Sequence, residues 1–350
     1  MRLHPNNRIF LCLCLLFSLS FLSACQSDAT TANSKKVTLV LGAYTTPREA
    51  YGKAILPAFQ KYWKEKTGQD VEFQESYQAS GAQARAIASG FEADIAALSL
   101  EGDIDDIAEA GLITHDWKAN GNRGIVSTSI VVLAVRPGNP KQIRDWTDLT
   151  KAGVNVLTPD PKTSGGAQWN VNAMYGAALR GFAGVPKGDV SAAAGFLKDV
   201  FRNVTILDKG GRESITNFEK GVGDVAITYE NEVLVGRQAG QQYDYVIPRS
   251  TILIENPVAL IDKYADKHGV REVAEAFIQF LSSKEAQRAY AKYGLRPLDS
   301  DIAKEVQAQY PPVEDLWDID FLGGWKKVEA DIYGAQGAYT KVFAELYNAK

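Results

Sequence analysis

From Lys36 onward, short runs of apolar, often β-branched residues alternate with longer stretches in which apolar positions recur every three or four residues. The first pattern predicts buried strands and the second amphipathic helices. Strands are expected at residues 37–41, 71–74, 95–98, 130–135, 155–157, 204–207, 225–229 and 245–247. Helices are expected at 50–66, where Tyr51, Ile55, Phe59 and Tyr62 or Trp63 mark one face, and at 83–90, 104–110, 169–179, 190–200, 215–220 and 270–281. Such alternation belongs to α/β proteins whose sheets are covered on both faces.

Two longer apolar stretches, 125–135 and 245–261, flank the middle third and predict hinge strands passing between two lobes. Lobe one would comprise residues 37–128 plus 253–350, lobe two residues 129–252, with a cleft between them. The 350 residues fit this, since a domain takes about 150.

The start of the chain is of another kind. Arg2 and Arg8 precede an uncharged apolar run to Leu22, followed by the small residues Ser23 and Ala24. This is the layout of a secretory leader, shorter than the roughly 20 residues an apolar helix needs to cross a bilayer. Leu22-Ser23-Ala24-Cys25 resembles a bacterial lipobox, so residues 1–24 are expected to be a lipoprotein signal peptide, Cys25 the lipidated residue and 25–36 a polar, flexible tether. Localisation would be the periplasm or the outer face of the cytoplasmic membrane. The other cysteines, Cys12 and Cys14, lie in the leader, which leaves the body no thiol for a disulfide, zinc cluster or nucleophile.

Lys and Arg number 38 against 42 Asp and Glu, a net charge of −4, so no basic surplus exists for nucleic acid. Yet four strand ends run through a small polar turn into a helix. They are Tyr44-Thr45-Thr46-Pro47, Gln78-Ala79-Ser80-Gly81, Asp160-Pro161-Lys162-Thr163-Ser164-Gly165-Gly166 and Asp208-Lys209-Gly210-Gly211-Arg212-Glu213-Ser214. Taken singly, such turns usually do no more than cap a helix. Aimed at one point, their unpaired N–H groups and helix dipoles hold an anion without a lysine or arginine. In open α/β sheets the carboxyl ends of the strands are where ligands gather.

At Ser164-Gly165-Gly166 and around it the chain resembles the bacterial sulfate-binding proteins of sulfate and thiosulfate uptake. The resemblance runs through Gly138-Asn139-Pro140-Lys141-Gln142-Ile143, Pro161-Lys162-Thr163-Ser164-Gly165-Gly166-Ala167, Gly223-Asp224-Val225, Glu230-Asn231-Glu232 and Phe321-Leu322-Gly323-Gly324-Trp325. It implies a two-lobed periplasmic binding protein of the second type, closing over a dehydrated sulfate (or thiosulfate) and delivering it to an ABC permease. The implied ligand donors are the backbone at Thr45, the Ser80 side chain, Ser164 with Gly165 and Gly166, the backbone at Gly211 and the Tyr229 side chain. Thr45 stands where well-known members have Asp, and Tyr229 where the family often has Trp; a tyrosine hydroxyl both donates and accepts, an indole N–H only donates.

Sulfate near neutral pH carries no proton, so donors alone satisfy it, whereas the hydroxyl of hydrogen phosphate needs an acceptor. No carboxylate is therefore expected at the ligand, with Asp160, Asp208 and Glu213 as the nearest candidates. Arg48 and Arg212 are expected to pair with carboxylates, and Trp169 and Tyr175 to be core. Thiosulfate, molybdate, tungstate and phosphate are the rival ligands. An envelope hydrolase would need a catalytic histidine, and only His115 and His268 lie beyond the leader, neither in a suggestive motif. A lipid-anchored scaffold would leave the four turns unexplained. The expectation is thus a monomeric binding protein, not an enzyme, without cofactor or catalytic metal.

Overall fold

In the computed structural model, which describes residues 36–119 and 121–347, ten strands join into one sheet. The leader, Cys25 and nearly all of the tether lie outside the described residues. The strands are β1 (Val37–Tyr44), β2 (Val71–Gln78), β3 (Ile95–Ala97), β4 (Ile125–Val135), β5 (Val156–Pro159), β6 (Val204–Asp208), β7 (Val225–Tyr229), β8 (Asp244–Val246), β9 (Ser250–Leu260) and β10 (Asp315–Trp317). Their order is β2-β1-β3-β9-β4-β7-β5-β6, with β8 on β4 and β10 on β9.

Two parallel groups stand at the ends of this order. β1 runs parallel to β2 and β3, and β5 parallel to β6 and β7. The long antiparallel pair β4 and β9 joins them. β4 opposes β9 over its first half and β7 over residues 131–135, while β9 opposes β3 through residues 258–260. Every residue of β4 is buried, which is why its sequence is an unbroken apolar run.

Helices cover both faces. α1 (Arg48–Ala50) continues through a π-turn into α2 (Leu56–Thr67), and α3 (Ser80–Ala88) and α4 (Glu101–Glu109) follow β2 and β3. Around β5 to β7 lie α5 (Gly165–Leu179), α6 (Val190–Arg202), α7 (Gly211–Glu219) and α8 (Glu230–Gln238). The chain then returns through α9 (Asp262–His268), α10 (Arg271–Phe280) and α11 (Lys284–Lys292). The four-residue spacing of Tyr51, Ile55, Phe59 and Trp63 buries all four in a core with α10 and α11. There the Phe59 ring meets Phe277 edge-on, centroids 5.1 Å apart, a favoured aromatic geometry.

The sequence pattern assigns all of residues 253–350 to lobe one, and here the structure differs. Trp317, Ile319, Val328, Ile332, Tyr339 and Val342 share a core with Trp169, Met174, Phe196 and Phe201 of α5 and α6. The cause is β10, which pairs with residues 250–252 of β9, the end nearest lobe two. Arg180 clamps Asp315 there at 2.6 and 2.5 Å, and Asp315 also accepts from Ser250 Oγ at 2.7 Å. The Trp317 indole lies over Gly176 so closely that a Cβ there would stand 2.0 Å from its Cη2.

Gly176→Ala is therefore expected to destabilise the protein by about 1–3 kcal/mol through overpacking, outweighing the ~1 kcal/mol that alanine gains over glycine within a helix. Equilibrium denaturation should show a lower midpoint, and Trp317→Leu in the same chain should recover part of the loss.

Candidate functional site

Each parallel strand of the two end groups releases the chain into a helix whose first-turn N–H groups have no acceptor within that helix. These helix starts meet between the lobes. Tyr44 at the end of β1 with Thr45 and Thr46 after it, Ala79 and Ser80 at the start of α3, Ser164 and Gly166 at the start of α5, and Gly211 at the start of α7 line one pocket. Tyr229, at the end of β7, and Glu232, in the first turn of α8, also line it, with Pro159, Asn170, Ile227 and Thr228.

Ser164 is the N-cap of α5; its hydroxyl oxygen accepts from Ala167 N at 3.3 Å, which leaves its proton for another acceptor. Gly165, the first residue of α5, lines the groove that adjoins this pocket at Ser164. Its Cα meets the other lobe, where a Cβ would come within 2.7 Å of Leu100 Cγ and 3.1 Å of Ser99 Oγ. Glycine is what lets the lobes approach at this point.

Ser80 requires a correction. Its hydroxyl donates to the buried Asp103 and accepts from Ser99 N at 2.8 Å, so the side chain is already engaged. What Ser80 offers the pocket is its main-chain N–H, as the first residue of α3. Burial pushes the Asp103 carboxyl up to about 7, and nearby Asp106 adds to this, against the Ser80 hydroxyl and Arg85.

A carboxylate does stand on the pocket wall, against expectation, and it is none of the three candidates. Asp160 Oδ1 accepts from Lys162 N at 2.9 Å, Asp208 Oδ1 from Asn217 at 2.6 Å, and Glu213 Oε2 from Lys209 N at 3.1 Å, all outside the pocket. The wall residue is Glu232, 2% exposed. Burial pushes its carboxyl up, while Arg212 and the Thr46 hydroxyl pull it down. Arg212 faces its Oε2 at 2.9 Å and reaches across to Glu49 of the other lobe at 2.8 Å. That guanidinium is thus matched by carboxylates and does not line the pocket, as Arg48, set over the Tyr77 ring, does not. Trp169 and Tyr175 belong to the lobe-two core.

Ser99 lies outside the four turns that the sequence pattern marks, although Ser99-Leu100-Glu101 after the apolar run 95–98 is a fifth strand–turn–helix junction. It is fully buried, and its hydroxyl lies 2.6 Å from Tyr229 Oη, its carbonyl 2.8 Å from Trp169 Nε1. Among the described residues no group of histidine, cysteine and carboxylates could hold a metal ion, and no helix is long and apolar enough to cross a membrane.

Residues 39–296 match the family described as bacterial extracellular solute-binding protein. A sulfate-binding protein from Synechococcus elongatus is 44% identical over 89% of this chain and 87% of its own length. A thiosulfate-binding protein from Pseudomonas aeruginosa is 34% identical over 94% and 98%. Among solved structures, the sulfate-binding protein SubI from Mycobacterium tuberculosis superposes with a TM-score of 0.76 at 36% identity, covering 84% of this chain and 98% of that one.

The Asp103 geometry carries a pH signature. An acid whose folded pKa is raised from 3.8 to about 7 binds more protons folded than unfolded in that interval, so its contribution to stability falls as pH rises through it. The full fall is on the order of 4 kcal/mol. Denaturant midpoints between pH 4 and 8 should show Asp103→Asn gaining stability relative to the parent protein as pH rises.

Proposed function

The chain belongs to the bacterial extracellular solute-binding protein family, and from that premise we propose that it captures sulfate between its two lobes and delivers it to an ABC permease for uptake. The observation that carries this reading is the convergence of four helix starts on one pocket that no lysine or arginine lines. Sulfate-binding relatives matched over most of the chain support the same ligand.

In this reading the donors are the backbone N–H groups of Thr45, Ser80, Gly165, Gly166 and Gly211 with the hydroxyls of Ser164 and Tyr229. Helix N-termini carry partial positive charge, and the ligand, stripped of water, exchanges its hydration for oriented dipoles. A dianion without protons finds a donor for each oxygen. Hydrogen phosphate must also place a proton, and with the Glu232 carboxylate facing Arg212 a mismatched buried hydroxyl costs about 1–3 kcal/mol, roughly tenfold to a hundredfold in affinity. Arg212, held between Glu49 and Glu232, serves the joint between the lobes and leaves the ligand to the dipoles. Thiosulfate is the second reading, because thiosulfate-binding relatives also span nearly the whole chain; it shares the charge and three of the four oxygens.

Delivery needs a bound form that a permease can tell from the empty one, and lobe closure about the crossing strands β4 and β9 supplies it. The family's extracellular class supports a location outside the cytoplasm. Attachment through lipid on Cys25 would keep a monomeric protein beside its permease.

Isothermal titration of the chain from Gln26 onward, stripped of ligand by unfolding and refolding, should show one sulfate bound per chain and phosphate at least tenfold weaker. Ser164→Ala should weaken sulfate about tenfold, the loss of one hydrogen bond to a charged group. Tighter binding of thiosulfate would move the assignment to the second reading, and silence toward both would refute capture of this class of anion.

A further inference from the structure

Tyr229 lines the pocket, and a hydroxyl can face a ligand as donor or as acceptor. The side chain is buried, and burial pushes its pKa far up, so the phenol keeps its proton. Which way that proton points decides whether the wall helps or opposes a buried anion.

The answer lies in Ser99, which is outside the pocket lining and sits behind Tyr229. The two oxygens stand 2.6 Å apart, with either able to donate. Two hydroxyls hold two protons, and one of these lies between the oxygens. If Tyr229 gave that proton, the Ser99 proton would need another acceptor. Among the described residues Tyr229 Oη is the only hydrogen-bond partner of Ser99 Oγ, and Ser99 is fully buried. A stranded buried donor is costly. If Ser99 gives the proton instead, the Tyr229 proton is left free for the bound oxyanion. The two bonds in series also polarise each other.

Ser99 is held rigidly enough for this task. Its N–H donates to Ser80 Oγ at 2.8 Å, its carbonyl accepts from Trp169 Nε1 at 2.8 Å, and the missing side chain of Gly165 makes room beside it. Its bonds to Trp169 and Tyr229 both reach the opposite lobe, so they form when the lobes meet.

We infer that Ser99 is a positioning residue of the ligand pocket: its hydroxyl donates to Tyr229 and thereby fixes Tyr229 as a donor to the oxyanion. The inference rests on the sulfate reading above. It gives a position where an indole would donate unconditionally the same one-way behaviour by pairing two hydroxyls.

A double-mutant cycle on the mature chain tests it, with sulfate titrated calorimetrically and the ligand-free thermal midpoint recorded as a check on folding. Tyr229→Phe should weaken sulfate about 10- to 100-fold and Ser99→Ala about tenfold. In the double variant the affinity should equal that of Tyr229→Phe alone to within about twofold, because Ser99 then has nothing to orient. Ser99→Cys, close in size and a poor donor, should behave as Ser99→Ala and covers the case in which the alanine variant does not fold. Affinity within about twofold of the parent in both Ser99 variants would overturn the inference. So would an undiminished Ser99→Ala effect in the Tyr229→Phe chain, which a merely structural role for Ser99 would produce. A parent protein that binds neither sulfate nor thiosulfate would overturn the reading beneath it as well, which separates the two failures.

Discussion

An anion buried without a cation of its own must be met by neutral donors, and backbone donors are free in number only where helices begin. The constraint reaches far beyond the pocket. Four strands have to end at one place so that four helices can start there, which demands two parallel groups with their carboxyl ends facing across a cleft. β1 and β2 supply one side and β5 and β6 the other. The antiparallel pair β4 and β9 holds these groups in register, and the apolar faces on either side serve to keep the strand ends where they are.

The same constraint explains where charge is allowed. Arg212 stands one residue from Gly211 yet is drawn between Glu49 and Glu232. A free guanidinium at that point would bind any anion, whatever its protonation, and would release it slowly. Tied between carboxylates of both lobes, it contributes to the joint without dominating the ligand. Arg296, held by the buried Glu230 at 2.7 and 2.9 Å, belongs to the same pattern of charges consumed within the protein. In the proposed reading, discrimination is left to hydrogen-bond geometry, where a single proton on the ligand counts.

Strands were legible in the sequence because burial on both faces makes them apolar runs; residues 225–229 stand in both the pattern and the structure. Helix starts were legible only as turns. The apolar period places helices at 83, 169 and 215, whereas they begin at Ser80, Gly165 and Gly211. The missing first turns are the stretches that face the pocket, where small polar residues replace the apolar ones that periodicity detects. α8 escaped for a related reason: Glu230, Asn231 and Glu232 look like a solvated run, yet all three are buried. The Ser80 hydroxyl could not have been assigned from sequence, since Asp103 comes beside it only through the fold. The landing of the C-terminal segment on lobe two depended likewise on a three-residue strand, β10, too short to show a period.

The double crossing of the chain between lobes also bears on timing. The first core needs α10 and α11 to cover β1 and β2, and the second needs Trp317 and Tyr339 to cover α5 and α6. Neither can close on residues taken from one continuous stretch, and each waits for polypeptide made near the end of synthesis. Contacts so distant in sequence form slowly. Neither core can therefore be completed before the segments nearest the C-terminus have been made, so the order of synthesis itself sets the earliest moment at which either half can close.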